Sequence, residues 1–481
     1  MIRSVICYSN TLQYQEASAY IRIMSPLRKL GICLIDGLRE GLDNLDLIKE
    51  ADLVIIHRDF PKNLDIFYNI VEKSKYYNKK IIFDIDDLIF ELPNDHTDRR
   101  NFSFAEALLP IYHAIQESNL ITVSTNNLKN YIKNINNNVI VLPNYIDDDI
   151  WQAKEINSTN NSELVIGYMG TKTHISDLEI VSTVLTELLA EFSGKVTLKI
   201  WGLEAPLDLI NNPYVVYDNK FNFCYPEFAQ YFQQQSIDIA IAPLKYNLFN
   251  RCKSGIKFLE YSITGIAGVY SNIDPYSELV SDNNKNGVLV NSLYEWKTAL
   301  RKLLEDREYR SKLAFEAQKM VKEAWILSVN INKWISSIEA GLYNSNRLNN
   351  KIKISRSIVE QNYEYAAYLR GKISFLEQHV QQKDQTIAAL EQHVQQKDQT
   401  IAALEQHVQQ KDQTIAALEQ HVQQKDQTIA ALEQHVKLLK QQLISKDELI
   451  ESLQNEILKY VLSLSWKITR PLRLIRKMMR I

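Results

Sequence analysis

Through about residue 325, apolar residues fall in short runs separated by amphipathic stretches. The runs RSVICY, ADLVIIH, KKIIFDI, SNLITVS and NNVIVLP read as strands, and helical patterns such as SAYIRIMSPLRKLG lie between several of them. This alternation predicts βαβ units and a mostly parallel sheet. Pro143-Asn144, IDDDIW and the polar KEINSTNNSE read as a linker, after which a second series follows: ELVIGYMG, KVTLKIWG, IDIAIAPL, GIAGVYSN and NGVLVNS. The pattern predicts an α/β protein with two tandem Rossmann-like domains, residues 1–150 and 151–342, the latter including closing helices. The cleft between them is the expected ligand site.

The pattern changes after residue 342. Beyond a linker over 343–362, the block EQHVQQKDQTIAAL occurs four times unchanged, starting at residues 377, 391, 405 and 419, and begins again at 433. Fourteen residues are two heptads. Val380, Ile387, Val394 and Ile401 share one core position, and Leu376, Leu390 and Leu404 the other, where Lys383, Lys397, Lys411 and Lys425 alternate with them. A coiled coil over 363–460 is expected, with a seam weakened by the lysines. Residues 377–436 would span roughly 90 Å at about 1.5 Å per residue, a spacer of adjustable length. The histidines at 379, 393, 407, 421 and 435 lie fourteen residues apart along the rod, which suits surface decoration and not metal binding.

Composition adds little to this picture. The 481 residues are too many for one core, and 45% apolar, 23% charged and a net charge of −3 are ordinary for a soluble chain and imply no nucleic-acid partner. Cys7, Cys33, Cys224 and Cys252 are scattered without zinc-ribbon spacing, as suits a reducing compartment, so the cytoplasm is the default location. MIRSVICYSN reads as a first strand and not a signal peptide, and no run of about eighteen apolar residues predicts a membrane span. The end, residues 461–481, is different. From Trp466 onward it carries six basic residues, no acidic one, and interleaved Trp, Ile, Leu and Met. That composition fits an interfacial helix on anionic lipid; a segment packed on a partner subunit is the alternative.

Two stretches carry candidate chemistry. In FDIDDLIFELP, residues 83–93, strand alternation points Asp84 and Asp86 to one face and Asp87 to the other, so two carboxylates at most could share a cation; they would otherwise simply end a strand. In NRCKSGIKFLEYSITGIAGVYSN, residues 250–272, Ser254 is placed to cap a helix through Tyr261. Lys253, Lys257 and Glu260 then project from nearly one face near its start. Two cations at a helix N-terminus suit a diphosphate, and a carboxylate one turn deeper suits the hydroxyls of a ribose. A surface pair between Lys257 and Glu260 would leave the same pattern.

KSGIKFLEYSITGIAGVYSN resembles the donor-binding segment of GT-B glycosyltransferases of family 4, in particular the bacterial surface-polysaccharide branch with KSxxKxLEY. ELVIGYMGTKTHISDLE is similar to the glycine turn opening the second domain of that family, and IVLPNYIDDDIW to its linker. SAYIRIMSPLRKLG resembles its first helix, IIFDIDDLIFELP a mid-domain strand end, and SWKITRPLR a tail found on such enzymes. The resemblance covers about residues 1–342 and the last twenty; the repeats lie outside it.

The resemblance implies that Glu260 matches the second glutamate of the family's pair and holds the ribose. The first glutamate's position is Cys252, a departure for which Lys253, Ser254 and the Gly255 backbone would compensate. It further implies that Gly170 and Thr171 approach the diphosphate, with Lys172 as an added cation. Asp86 occupies the place of a histidine in many relatives, so Asp86 and Asp87 become the catalytic candidates at the cleft. Arg22 and Arg58 are acceptor-side candidates, for which surface positions are the favoured alternative.

The implied activity is transfer of a sugar from a nucleotide-diphosphate sugar to a glycan or lipid-linked acceptor, with retention, no metal and no cofactor beyond the co-substrate. It would act at the inner face of a bacterial membrane, with self-association through the coiled coil. A sugar-nucleotide epimerase of the same architecture and a non-catalytic coiled-coil scaffold are the rival readings.

Overall fold

The computed structural model describes residues 2–39, 42–60, 64–101, 103–104, 107–156, 163–218, 224–281, 284–344, 356–411 and 419–468. The first lobe contains β1 (Ser4–Tyr8), β2 (Cys33–Asp36), the short antiparallel pair β3 (Leu38–Arg39) and β4 (Leu42–Asp43), β5 (Leu53–His57), β6 (Lys80–Ile85), β7 (Leu120–Val123) and β8 (Val139–Val141). Six of these form one parallel sheet in the order β2-β1-β5-β6-β7-β8. Its register sets the polar ends of three neighbouring strands side by side: His57 pairs with Asp84, and Asp84 with Thr122.

The second lobe repeats the plan with β9 (Leu164–Met169), β10 (Val196–Trp201), β11 (Val215–Asp218), β12 (Ile239–Ala242), β13 (Ala267–Ser271) and β14 (Val288–Val290), parallel throughout in the order β11-β10-β9-β12-β13-β14. The two expected Rossmann-like domains are therefore present, and every apolar run named above contributes a strand. Buried aliphatic residues such as Ile166, Leu198 and Val269 fuse the second sheet to helices Ser182–Glu191 and Leu293–Glu305.

The stretch read as a linker is packed at its start, and its residues 157–162 lie outside the described residues. Asp147 is buried and accepts from Tyr20 Oη (3.0 Å), Ser25 Oγ (2.6 Å) and Arg28 Nη2 (2.6 Å), which ties it to the first long helical segment. That segment is α-helical over Ala17–Ala19 and Ser25–Lys29 and widens to a π turn over Tyr20–Met24. Pro26 has no amide hydrogen to give the Arg22 carbonyl, which accounts for the wider turn before it.

Helix Leu327–Asn344 departs from the expected boundary. By sequence order it belongs with the second lobe, but its Trp334 and Ile338 join Val5, Ile55 and Leu120 in the core of the first. Gly341 permits the approach, because a Cβ there would stand 2.7 Å from a Leu120 methyl. The chain therefore crosses back after completing the second lobe.

Residues Glu364–Ser463 form a separate unit. Of its helices, Arg356–Lys411 and Glu419–Ile468, the first begins inside the expected linker, whose residues 345–355 lie outside the described residues. In this single chain the expected seam is open to solvent, with Leu390 59% and Val394 39% exposed. Most of the basic tail, residues 469–481, also lies outside the described residues. Among the described residues no helix is long and apolar enough to cross a membrane.

Candidate active site

Between the lobes lies a cavity of ≈ 290 Å³ lined from both sides. The first lobe contributes Ser18, Arg58, Asp86 and Asp87, and the second Thr171, His174, Lys253, Ser254 and Lys257. The lobes touch around it. Thr125 Oγ1 donates to the Cys252 carbonyl (2.8 Å), Asn144 Nδ2 to Ser254 Oγ (2.9 Å), and Lys245 pairs with Asp95 (2.7 Å).

On the acidic wall, β6 ends at Ile85, so Asp86 and Asp87 sit in the loop beyond it. Asp86 Oδ2 accepts a 2.6 Å hydrogen bond from Ser18, while Oδ1 is buried without a hydrogen-bond partner, 3.8 Å from Arg58 Nε. Burial pushes this carboxyl up, but Arg58, His57, Ser18 and Arg22 together hold it below its ordinary value. Arg58 also reaches Asp87 (3.2 Å), from a backbone at φ +55°. It is a partly buried residue of the cavity wall, and the surface alternative does not hold for it.

Asp84 and Arg22 are placed differently from expectation. Arg22 is buried and makes a two-point ion pair with Asp84, and Thr122 Oγ1 donates to Asp84 Oδ2 at 2.6 Å. Neither residue lines the cavity. Arg22 is thus neither a surface residue nor part of the cavity wall, and Asp84 already accepts three hydrogen bonds and is held by Arg22 away from the cavity that Asp86 lines. Among the described residues no three His, Cys, Asp or Glu side chains are grouped so as to hold a metal.

On the basic wall, helix Ile256–Ile263 starts one residue later than the sequence reading. Gly255 is its N-cap and makes no side-chain cap, while Ser254 bonds Asn144 instead. Lys253 consequently sits in the turn before the helix, its ammonium 4.6 Å over the Phe249 ring. Lys257 is in the first turn, its ammonium 5.1 Å over the Tyr168 ring, and burial followed by repulsion from Lys253 lowers its pKa to about 8. Of the other donor-side candidates, Thr171 lines the cavity; Gly170, Lys172, Gly255 and Glu260 do not. Lys172 is exposed. Gly255 makes room for Leu279, whose Cδ1 would stand 2.2 Å from an added Cβ.

Glu260 is buried, and its Oε1 accepts from Tyr225 Oη at 2.6 Å; burial raises its pKa to about 7. Cys252 is fully buried with its thiol pushed up to about 12, chiefly by burial, so its side chain supplies nothing in place of the missing glutamate. The sequence reading missed His174. Its Nδ1 bonds Asp177 at 3.0 Å, and its Nε2 faces Lys253 Nζ at 3.5 Å. The HisxxAsp spacing in GTKTHISD, on a turn leaving a strand, was the available signal.

No family model and no curated protein matches the chain. Solved structures do resemble it. Sucrose-phosphate synthase from Thermosynechococcus elongatus superposes with a TM-score of 0.52 at 11% identity, over 71% of this chain and 100% of its own. HepE from Anabaena, solved with UDP-glucose, gives 0.49 at 13% over 71% and 100%. A glycosyltransferase from Rickettsia africae gives 0.47 at 13% over 71% and 99%. The likeness identifies the architecture: two parallel six-stranded sheets in the GT-B arrangement.

Proposed function

We propose that the chain is a metal-independent glycosyltransferase that moves a sugar from a nucleotide-diphosphate sugar to a glycan or lipid-linked acceptor. The observation that carries this reading is the charge division of the cavity: Lys253 and Lys257 on one lobe face Asp86 and Asp87 on the other. As the bond from the anomeric carbon to the diphosphate breaks, its electron pair stays on the phosphate oxygen, where positioned cations offset the growing charge. Asp86, with one oxygen free, accepts a hydrogen bond from a sugar or acceptor hydroxyl. Retention of configuration, which the family resemblance implies, needs no separate nucleophile. Glu260, whose carboxylate is one turn below the lysines, holds the ribose after exchanging its Tyr225 bond for the ligand.

The pathway is surface-polysaccharide synthesis at the inner face of a bacterial membrane. The repeats mediate self-association there, and the basic tail holds the enzyme at anionic lipid. The test is a panel of UDP-, GDP-, ADP- and dTDP-sugars against the full chain. A ligand at a hundred times its Kd stabilises the fold by about 2.7 kcal/mol, readily seen as a rise in melting temperature. Release of nucleoside diphosphate that depends on an added acceptor separates transfer from epimerisation. If no nucleotide sugar raises the melting temperature, the reading is wrong.

A further inference from the structure

His174 is held in one tautomer by a fixed partner. Asp177 is buried, and its Oδ1 accepts from the Lys245 amide (2.9 Å) and Asn250 Nδ2 (3.1 Å), so Oδ2 is left for His174 Nδ1. A carboxylate only accepts. Although burial pushes Asp177 up, its hydrogen bond from His174 and its other partners keep it below its ordinary value, hence ionised at neutral pH. The proton therefore sits on Nδ1, and Nε2 presents a lone pair to the cavity, with the Lys253 ammonium as its 3.5 Å neighbour.

This arrangement is unusual for an anion site, because the residue between the two lysines and Asp177 offers an acceptor where a phosphate needs donors. Burial, then Lys253 and Lys257, depress the His174 pKa to about 3, so the ring is neutral. The remaining charged groups facing this corner are His96, Asp95 and Lys245, with Arg58, Asp86, Asp87 and Asp98 further along the first-lobe wall. His96 Nδ1 accepts from the Asp98 amide at 3.2 Å, and burial, then Lys253, lowers the pKa of that ring.

We propose that His174 is a proton-linked ligand of the donor diphosphate: phosphate entering beside Lys253 and Lys257 draws a solvent proton onto Nε2, which then donates to a phosphate oxygen. The inference rests on the nucleotide-sugar reading above. Two negative charges placed against the lysines cancel their repulsion and add an attraction that opposes the effect of burial on the ring, and Asp177 stabilises the imidazolium once formed. The site thus gains a third cation only when its ligand is present.

The experiment is calorimetric titration of the full chain at pH 7.5, in buffers of different ionisation enthalpy, with the nucleotide sugar chosen by the panel. A diphosphate diester does not titrate near neutrality, so any uptake belongs to the protein. The expected result is uptake larger by nearly one proton in the wild type than in His174→Gln, the remainder belonging to groups such as Lys257, with affinity roughly tenfold weaker in the variant, as loss of a charge-assisted hydrogen bond implies. Equal uptake in both overturns the inference and leaves the function standing, whereas absence of any binding overturns both. Should that variant not fold, His174→Asn takes its place under the same criterion: uptake equal to that of the wild type refutes the linkage.

Discussion

Arg22 and Asp84 meet in a buried two-point ion pair, Nη2 to Oδ2 at 2.6 Å and Nε to Oδ1 at 3.1 Å. The pair joins the first helical segment to the end of β6, and Arg22 Nη1 continues to the Leu142 carbonyl and Asn144 Oδ1. Removing one partner strands the other charge in the interior, at a cost of about 3–5 kcal/mol. Arg22→Ala and Asp84→Ala should each lower the melting temperature of the unliganded chain by several degrees. A loss of activity with unchanged melting temperature in either variant would assign the pair to catalysis instead.

Ten strands were legible because each is an apolar run bounded by polar residues, and the parallel pairing followed from their alternation with helices; the edge strands β2 and β11 were not among those runs. What local pattern does not carry is the partner. Strand parity set Asp84 and Asp86 on one face, but β6 stops at Ile85 and an arginine 62 positions earlier claims Asp84. Ser254 has the right chemistry and place to cap a helix, yet Asn144, 110 positions away, takes its hydroxyl and the cap falls on Gly255. Helix Leu327–Asn344 advertises an apolar face without saying which lobe covers it. His174 and Asp177 lie three residues apart in plain view, but their meaning depends on Lys253, 79 positions on.

Glu260 gives the fold a specific pH dependence. Burial raises its pKa from 4.5 to about 7 in the folded chain, and the unfolded chain has no such shift. Between those values the folded state holds a proton that the unfolded state has lost, so stability is greatest at low pH and declines as pH rises through 7. The difference of about 2.5 units is worth about 3 kcal/mol. Glu260→Gln keeps an acceptor for Tyr225 without the charge, and its melting temperature should be higher than wild type at pH 8 and similar at pH 5. Parallel curves for the two proteins would show that Glu260 does not titrate in this range.

Asp86 and Arg58 predict a pH-rate signature. Burial alone would raise the Asp86 carboxyl, and Arg58 is the largest influence holding it down. In Arg58→Gln the acid limb of kcat/KM should move to higher pH, since the charged form loses its principal partner. Asp86→Asn should lower kcat by about 10²-fold at every pH if the carboxylate orients a reacting hydroxyl. Initial rates in excess chelator should match those without it. Inhibition by chelator that a divalent ion reverses would return Asp86 to a metal-binding role.

The repeats predict what happens when their lysines are replaced. Leu390 and Val394 are exposed in the single chain, and the heptad pattern aligns them with Lys383 and Lys397 along one seam. If this seam is the self-association surface, Lys383→Leu with Lys397→Leu completes two interrupted layers, each buried leucine contributing about 1.5–3 kcal/mol. Sedimentation of the full chain should show an oligomer in the wild type that persists to lower concentration in the variant, with a higher melting temperature for the helical signal. A wild type that sediments as a monomer at every concentration tested would exclude self-association through the repeats and leave them as a solitary spacer.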